Sequence, residues 1–439
     1  MRGRQPPMAH HWGMTRPTTR PTTRPTVTAV AAGLLVPLAA LAFSPSVLAR
    51  QMPMPLDESQ IAEQRIADLL DKRIDNKILG KEVSMVVLDA ESGRVIFDRA
   101  GSDKQLSAST MKVVTAVNTL ANYAPQDTFS TRVLAGKQSG QIVLTCGGDP
   151  MLTADDLRAL ARQTAQELGK GTAVTVLVDD SKFRGGARGP GWPKDYISSV
   201  AARVSCLAQL GDYSATPSRN AARVFAKALR KQGIKVRLGG SGKAAADAKV
   251  LAERSHTVQQ AVDRMLLESE NNVAEVLYRQ VALKRGLPGT WAGGRRAAQA
   301  TLQELGLGTE GLRLLDGSGL SRRDRVTAQF LASVIRLSRT NPRFAVMYDA
   351  NAMPRAGMTG TLAAKYGRFN TSPSSCAKGE IRAKTGTLFD TISLAGVAQG
   401  EDGKDKAFAI LVNDRPRRFI PLTTRRAVDK LASTITGCW

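Results

Sequence analysis

The chain is short of three things that would point to common chemistries. Aromatic residues make up 5% of its 439 positions, which argues against a surface that stacks many nucleic-acid bases. There are three histidines. His10 and His11 precede the folded part, so His256 stands alone and a multi-histidine zinc site is excluded. There are four cysteines and no C-x-x-C pair, so no structural zinc is expected. An apolar content of 42% and a charged content of 23% are ordinary for a globular protein, which excludes wholesale disorder. The length accommodates roughly two or three domains.

What the chain has in excess is positive charge. Sixty-two Lys and Arg oppose 38 Asp and Glu, a formal balance of +24, and that implies anionic surroundings: nucleic acid, membrane surface or wall polymer. Met1 to Thr26 carries Arg2, Arg4, Arg16, Arg20 and Arg24, no acid, and a Thr-Arg-Pro-Thr repeat whose prolines cannot sustain a helix. Val27 to Phe43 is then almost wholly apolar, and Val47-Leu48-Ala49 supplies a small-residue pattern. This order reads as a secretory signal peptide over 1–49, not an uncleaved anchor, because Pro37 interrupts a stretch already at the short limit for a span. Removing 1–49 takes away five arginines and no acid. Most of the basic excess therefore belongs to an exported protein, whose anionic partner is a cell-wall surface and not nucleic acid. Export to a periplasmic or other extracytoplasmic wall space implies an oxidising compartment. Three pairings of Cys146, Cys206, Cys376 and Cys438 are open; the one preferred here joins Cys376 to Cys438 and Cys146 to Cys206.

Apolar spacing predicts a helix over 57–78 with Ser59 as its cap, then a hairpin of strands at 83–88 and 94–97. Three more strands are expected at 381–388, 393–398 and 407–412, and a closing helix over 421–432. Strands at both ends of the chain imply one antiparallel sheet built from both, with a helical cluster between. An insert shows as a change of texture: strand 141–144, helix 154–168, strand 173–178, a loop over 185–193, helix 218–232 and a glycine-rich mobile joint at 239–242. The expected division is a main domain in two parts, 50–129 and 254–439, around an inserted domain at 130–253.

Three short motifs carry chemistry. In Ser109-Thr110-Met111-Lys112, a Ser and a Lys three apart share one helix face. If that turn is buried, the lysine loses its proton readily and can take one from the serine hydroxyl. In Ser269-Glu270-Asn271, a hydroxyl and an amide two apart can both enter one cleft. In Lys384-Thr385-Gly386-Thr387, a strand edge offers backbone N–H groups, Gly386 permits close approach, and Lys384 with the threonine hydroxyls can hold a carboxylate. Ser375-Cys376-Ala377-Lys378 and Ser218-Arg219-Asn220 copy two of these patterns, but lie in a polar loop and at a helix cap. His256 is expected at the start of a helix in a capping or surface role, and Asp316-Gly317-Ser318-Gly319 as support for the cleft.

Together and in this order the motifs form the S-x-x-K, S-x-N and K-T-G signature of penicillin-binding proteins and serine β-lactamases. The chain resembles the low-molecular-mass class C penicillin-binding proteins, the D-alanyl-D-alanine carboxypeptidase/endopeptidase family. Gly147-Gly148-Asp149-Pro150, Gly191-Trp192-Pro193, Asp316-Gly317-Ser318-Gly319-Leu320-Ser321-Arg322 and Thr359-Gly360-Thr361-Leu362 carry the match further. The resemblance implies an α/β (α+β) fold: a β-lactamase/transpeptidase-like antiparallel sheet flanked by helices, a helical cluster and one inserted smaller α/β domain. It implies Ser109 as nucleophile, Lys112 as base, Ser269 as proton relay, Asn271 as orienting amide and Lys384 as a source of positive potential. It further implies an oxyanion hole at the Ser109 and Thr387 backbone, a carboxylate site at Thr385, Gly386 and Thr387, and Arg322 with Asp195 on a diaminopimelyl end. The implied substrate is a peptidoglycan stem peptide ending in D-Ala-D-Ala, with β-lactams as inhibitors and no cofactor or metal. Glu270 departs from the family's usual Asp, Cys146 from a Gly and Met151 from a Thr. The short span between Ser109 and Ser269 implies that an innermost domain is missing. The rival readings are a β-lactamase or esterase of the same fold, or a non-catalytic wall-binding or β-lactam-sensing protein.

Overall fold

The computed structural model describes residues 57–186 and 188–438; the signal segment expected at 1–49 lies outside them. Helix α1 (Glu58–Ile74) leads into the hairpin β1 (Glu82–Asp89) and β2 (Val95–Arg99), and α2 (Met111–Asn122) follows a 3-10 turn. The middle of the chain runs β3 (Thr128–Ala135), β4 (Gln141–Thr145), α3 (Ala154–Leu168), β5 (Ala173–Asp179), α4 (Pro217–Lys231), β6 (Lys235–Ser241) and β7 (Val250–Thr257). Four helices come next: α5 (Val258–Leu267), α6 (Asn271–Lys284), α7 (Trp291–Glu304) and α8 (Ala328–Thr340). The chain closes with β8 (Ile381–Thr387), β9 (Ile392–Gln399), β10 (Asp405–Asn413) and α9 (Pro421–Thr434).

The two ends of the chain meet in one antiparallel sheet of order β2-β1-β10-β9-β8. Alternation along each strand sends side chains to opposite faces. Met85, Val87, Phe408 and Ile410 pack against α1 and α9 on one face. Val86, Leu88, Ala409 and Leu411 pack against α2 and α8 on the other. Cover on both faces explains why these strands read as continuous apolar runs. At the outer edge, β8 pairs briefly with residues 354–356: Ala356 N–H donates to the Ile381 carbonyl and Ala383 N–H to the Pro354 carbonyl, each at 2.9 Å. That cover stops before Lys384.

A second, mixed sheet has the order β6-β5-β4-β3-β7, with β4, β5 and β6 parallel. Its core includes Val133, Leu144, Leu157 and Phe225. Several expectations change here. The joint at 239–242 is largely strand: Gly239 lies in β6, where a Cβ would stand 2.6 Å from Leu177, so its glycine serves close packing. The segment from Phe183 to Cys206 leaves this sheet altogether. Phe183, Trp192, Ala201 and Val204 instead bury against Val276, Tyr278 and Trp291 of α6 and α7. Helix α7 is disguised in sequence by Gly293-Gly294, yet a Cβ at Gly294 would reach the Tyr278 ring at 2.2 Å. Asp57, not Ser59, caps α1, in a reciprocal arrangement with Gln60. His256 lies within β7, one residue before its end, and does not cap a helix; its Nδ1 meets Asp149 Oδ2 at 2.8 Å, and Thr257 caps α5 instead. The disulfides are Cys146–Cys206 and Cys376–Cys438.

One buried ion cluster fastens α1 to the sheet. Lys406 of β10 is fully buried, with Glu63 Oε1 at 3.0 Å, Asp89 Oδ2 at 3.3 Å and Asp402 Oδ2 at 2.8 Å. Removing the lysine takes the buried cation from Asp89 and Asp402 and leaves Glu63 with Arg94 alone. Lys406→Met is expected to cost about 3–5 kcal/mol of stability, read as a lowered denaturation midpoint in urea.

Candidate active site

Ser109 sits in the 3-10 turn that opens α2. Ala108, just before it, is buried at φ +46°, a left-handed conformation that costs free energy in a non-glycine residue and tends to persist at functional sites. Two neighbours hold the turn in place. Ser393 Oγ donates to the Ser107 carbonyl at 2.6 Å. Gly319, at φ +78°, lies so close below that a Cβ there would reach the Ala108 carbonyl oxygen at 1.9 Å. This is one place where only glycine fits, and it explains the Asp-Gly-Ser-Gly spelling of that loop.

Lys112 lies one turn along α2 and is completely buried. Its Nζ stands 2.8 Å from Ser109 Oγ, 2.7 Å from Asn271 Oδ1 and 3.0 Å from the Ser318 carbonyl oxygen. Burial pulls its pKa down to about 8, against the opposing pull of Glu275, Asp316 and Glu270. A neutral amine has two hydrogens and one lone pair. With the two hydrogens given to Asn271 and Ser318, the lone pair faces the Ser109 hydroxyl.

Asn271 opens α6, and its Nδ2 donates to the Val200 carbonyl at 2.7 Å. Ser269, at φ +60° between α5 and α6, lines the same cavity. Glu270 turns away from the cavity, caps α6 and accepts from the Tyr213 hydroxyl at 2.9 Å, so the departure from Asp reaches the insert-facing side. On β8, alternation separates the motif into two faces. Thr385 and Thr387 line the cavity. Lys384 and Gly386 face inward: a Cβ on Gly386 would lie 2.0 Å from Ser393 Oγ and 2.9 Å from the Ser109 nitrogen. Lys384 is fully buried and donates to the Thr385 carbonyl at 2.9 Å. Burial, then the charges of Lys112 and Arg368, hold its pKa far below the ordinary lysine value.

Two expected residues stand apart. Arg322 is held bidentate by Asp390, at 2.7 and 2.5 Å. Asp195 is exposed in a 3-10 turn and does not line the cavity, although its neighbour Tyr196 does. Tyr196 lies within electrostatic reach of both Arg322 and Asp195.

Sequence reasoning missed Glu275. It is completely buried on α6 and accepts from the Gly317 and Ser318 N–H groups, at 3.2 and 2.8 Å. Burial and the charge of Asp316 push its carboxyl up to about 8. Asp316 in turn takes N–H groups from Gly319 and Ser321 and the Trp192 indole, at 2.7–2.8 Å. A lone acid in the apolar run Asn272-Val273-Ala274-Glu275-Val276-Leu277 was the available signal. Thr361 was also missed as a site residue; its Oγ1 lies 2.7 Å from Thr385 Oγ1.

Comparison with known proteins agrees with this geometry. A carboxypeptidase, DacB, of Mycolicibacterium smegmatis is 28% identical over 410 residues, which are 88% of this chain and 87% of that protein. A D-alanyl-D-alanine carboxypeptidase of Actinomadura is 26% identical over 88% of this chain and 87% of its own length. The crystal structure of penicillin binding protein 4 from Haemophilus influenzae superposes with a TM-score of 0.70 at 21% identity, over 84% of this chain and 99% of that one, a likeness of fold. The model of the D-Ala-D-Ala carboxypeptidase 3 (S13) family matches residues 64–210 and 207–435, and the chain belongs to that family.

Proposed function

We propose that the protein is a serine D-alanyl-D-alanine carboxypeptidase of peptidoglycan stem peptides, able also to open D-alanyl cross-links, and that penicillin acylates it at Ser109. The observation that carries this reading is the Ser109–Lys112 pair, with the lysine buried, near neutrality and its two hydrogens engaged elsewhere.

In the reaction, Ser109 Oγ attacks the carbonyl carbon between two D-alanines as Lys112 takes the hydroxyl proton. The Ser109 and Thr387 N–H groups receive the oxyanion. Inward packing of Gly386 on the Ser109 nitrogen supports this pairing, because it sets β8 directly beside the nucleophile's turn. As the C–N bond breaks, the proton passes from Lys112 by way of Ser269 to the departing amine. Lys384 adds positive potential in its protonated form, which its burial disfavours, and Thr385 and Thr387 hold the terminal carboxylate. Water then attacks the acyl-enzyme, with Lys112 again taking the proton, and Ser109 is restored. Arg322, Tyr196 and Asp195 would meet the free end of a diaminopimelyl side chain. Exported location and retention at an anionic wall are supported by the basic-apolar-small start of the chain, the two disulfides and the overall charge. No helix among the described residues is long and apolar enough to cross a membrane.

Three outcomes are expected. Ser109→Ala should abolish labelling by fluorescent penicillin, and equal labelling of wild type and variant would remove Ser109 as nucleophile. Because the base is the neutral form of Lys112, the acylation rate should rise with pH through about 8, and Lys112→Ala should lose about 10²–10⁴ in rate together with that titration. Gly386→Ala should push β8 off the Ser109 turn and slow acylation about a hundredfold, measured by stopped-flow with a chromogenic cephalosporin.

A further inference from the structure

The cavity that holds Ser109 has a volume of about 720 Å³, and its wall also includes Arg368, Arg415 and Arg425. Among the described residues these three cations are answered by one carboxylate. Asp429 is fully buried and takes Arg368 on both oxygens, at 2.8 and 2.5 Å. Arg415 is 5% exposed; its Nη1 donates to the Phe419 carbonyl at 2.8 Å, while its Nε meets no acceptor. Among the described residues none makes a hydrogen bond or ion pair with the Arg425 guanidinium. Burial, then the charges of Arg368 and Arg415, hold its pKa below that of an ordinary arginine, with Asp429 opposing. A buried donor without an acceptor is costly, and adjacent uncompensated cations add to that cost.

A second observation points the same way. Helix α9 begins on this wall at Pro421. Its N-cap, Ile420, offers no side-chain acceptor, Pro421 has no N–H, and the Thr423 N–H turns back to the Ile420 carbonyl at 3.0 Å, which leaves the Leu422 N–H at the helix start. The start of a helix carries roughly half a positive charge and binds anions. The position relative to the reaction is also fixed. Thr361 contacts Thr385, the following loop supplies Tyr366 and Arg368, and Arg368 is close enough to depress Lys384. This part of the wall therefore continues from the threonines that hold the carboxylate of the departing residue.

We propose that Arg415, Arg425 and the uncapped start of α9 form a second anion subsite in the cleft, which takes a carboxylate on the departing part of the substrate beyond the one held by Thr385 and Thr387. This rests on the functional reading above and deepens it: the enzyme selects leaving groups larger than D-alanine that carry an additional acid. Tyr366, Phe389 and Pro421 line the way to it, and they suit an apolar spacer between the two carboxylates. A charge-assisted hydrogen bond at such a site is worth roughly 1.5–3 kcal/mol, or about tenfold and upward in discrimination.

The test compares acyl-D-Ala-D-Glu with its neutral isostere acyl-D-Ala-D-Gln, using the purified exported chain, with acyl-D-Ala-D-Ala as reference. Wild type should cleave the D-Glu peptide with a kcat/KM about tenfold or more above the D-Gln peptide, an advantage that shrinks with added salt. Arg425→Gln should bring the ratio to about one, Arg425→Lys should keep most of it, and Arg425→Glu should turn the preference toward a D-Lys leaving group. Fluorescent-penicillin labelling reports on folding and acylation in each variant, so a merely structural role would lower all substrates together and leave the ratio unmoved. A wild-type ratio near one, or a ratio that survives Arg425→Gln, overturns the subsite. Failure of the wild type to cleave acyl-D-Ala-D-Ala at all would overturn the carboxypeptidase reading, and the subsite with it.

Discussion

The structure depends on keeping one lysine dry. Lys112 is brought down to a pKa of about 8 by its burial, and excluding water from it takes most of the helical cluster. The residues around it on α2, from Met111 to Leu120, are buried, α6 covers one side, and the Gly317–Gly319 loop closes the floor. Each element also gives the amine something definite: α2 the serine, α6 the Asn271 oxygen, the loop the Ser318 carbonyl. That loop is in turn held by Glu275 and Asp316, whose carboxylates gather its backbone N–H groups. Buried acids near a buried amine oppose the effect of burial on it. The pKa of about 8 is the resultant of these two large effects.

Those opposing effects also explain what could be read from the sequence and what could not. The residues that meet in the cleft were legible as a set because each motif places residue types at short spacing: Ser109 and Lys112 on one helix face, Ser269 and Asn271 around a turn, Thr385 and Thr387 on one side of a strand. The main sheet was legible because cover on both faces leaves long apolar runs. The buried support was not. Glu275 reads as one more polar position on a helix until its burial is known, and Gly294 reads as a helix breaker until the Tyr278 ring is seen against it. Arg415 and Arg425 are unremarkable in a chain rich in arginine, and only their convergence on a common wall sets them apart.

The middle of the chain shows how far texture can mislead about boundaries. Its sheet is a separate layer with its own core, yet Phe183 to Cys206 returns to pack on α6 and α7. Asn271 Nδ2 reaches the Val200 carbonyl, and Asn272 Oδ1 takes the Ala202 N–H at 2.9 Å. The insert thereby touches the very residue that orients the lysine. The Cys146–Cys206 disulfide ties that returning segment to the sheet it left.

The partial cover of β8 has a consequence for what can lie along it. Strand edges recruit other strands, and an open one invites pairing with further copies of the chain. Here residues 354–356 occupy the edge up to Ala383, and the strand beyond it, at Thr385 and Thr387, runs along the cavity. A long strand laid along β8 would meet residues 354–356, whereas a short segment would not. The same short pairing therefore both blocks open-ended association along β8 and leaves the stretch beside Ser109 uncovered.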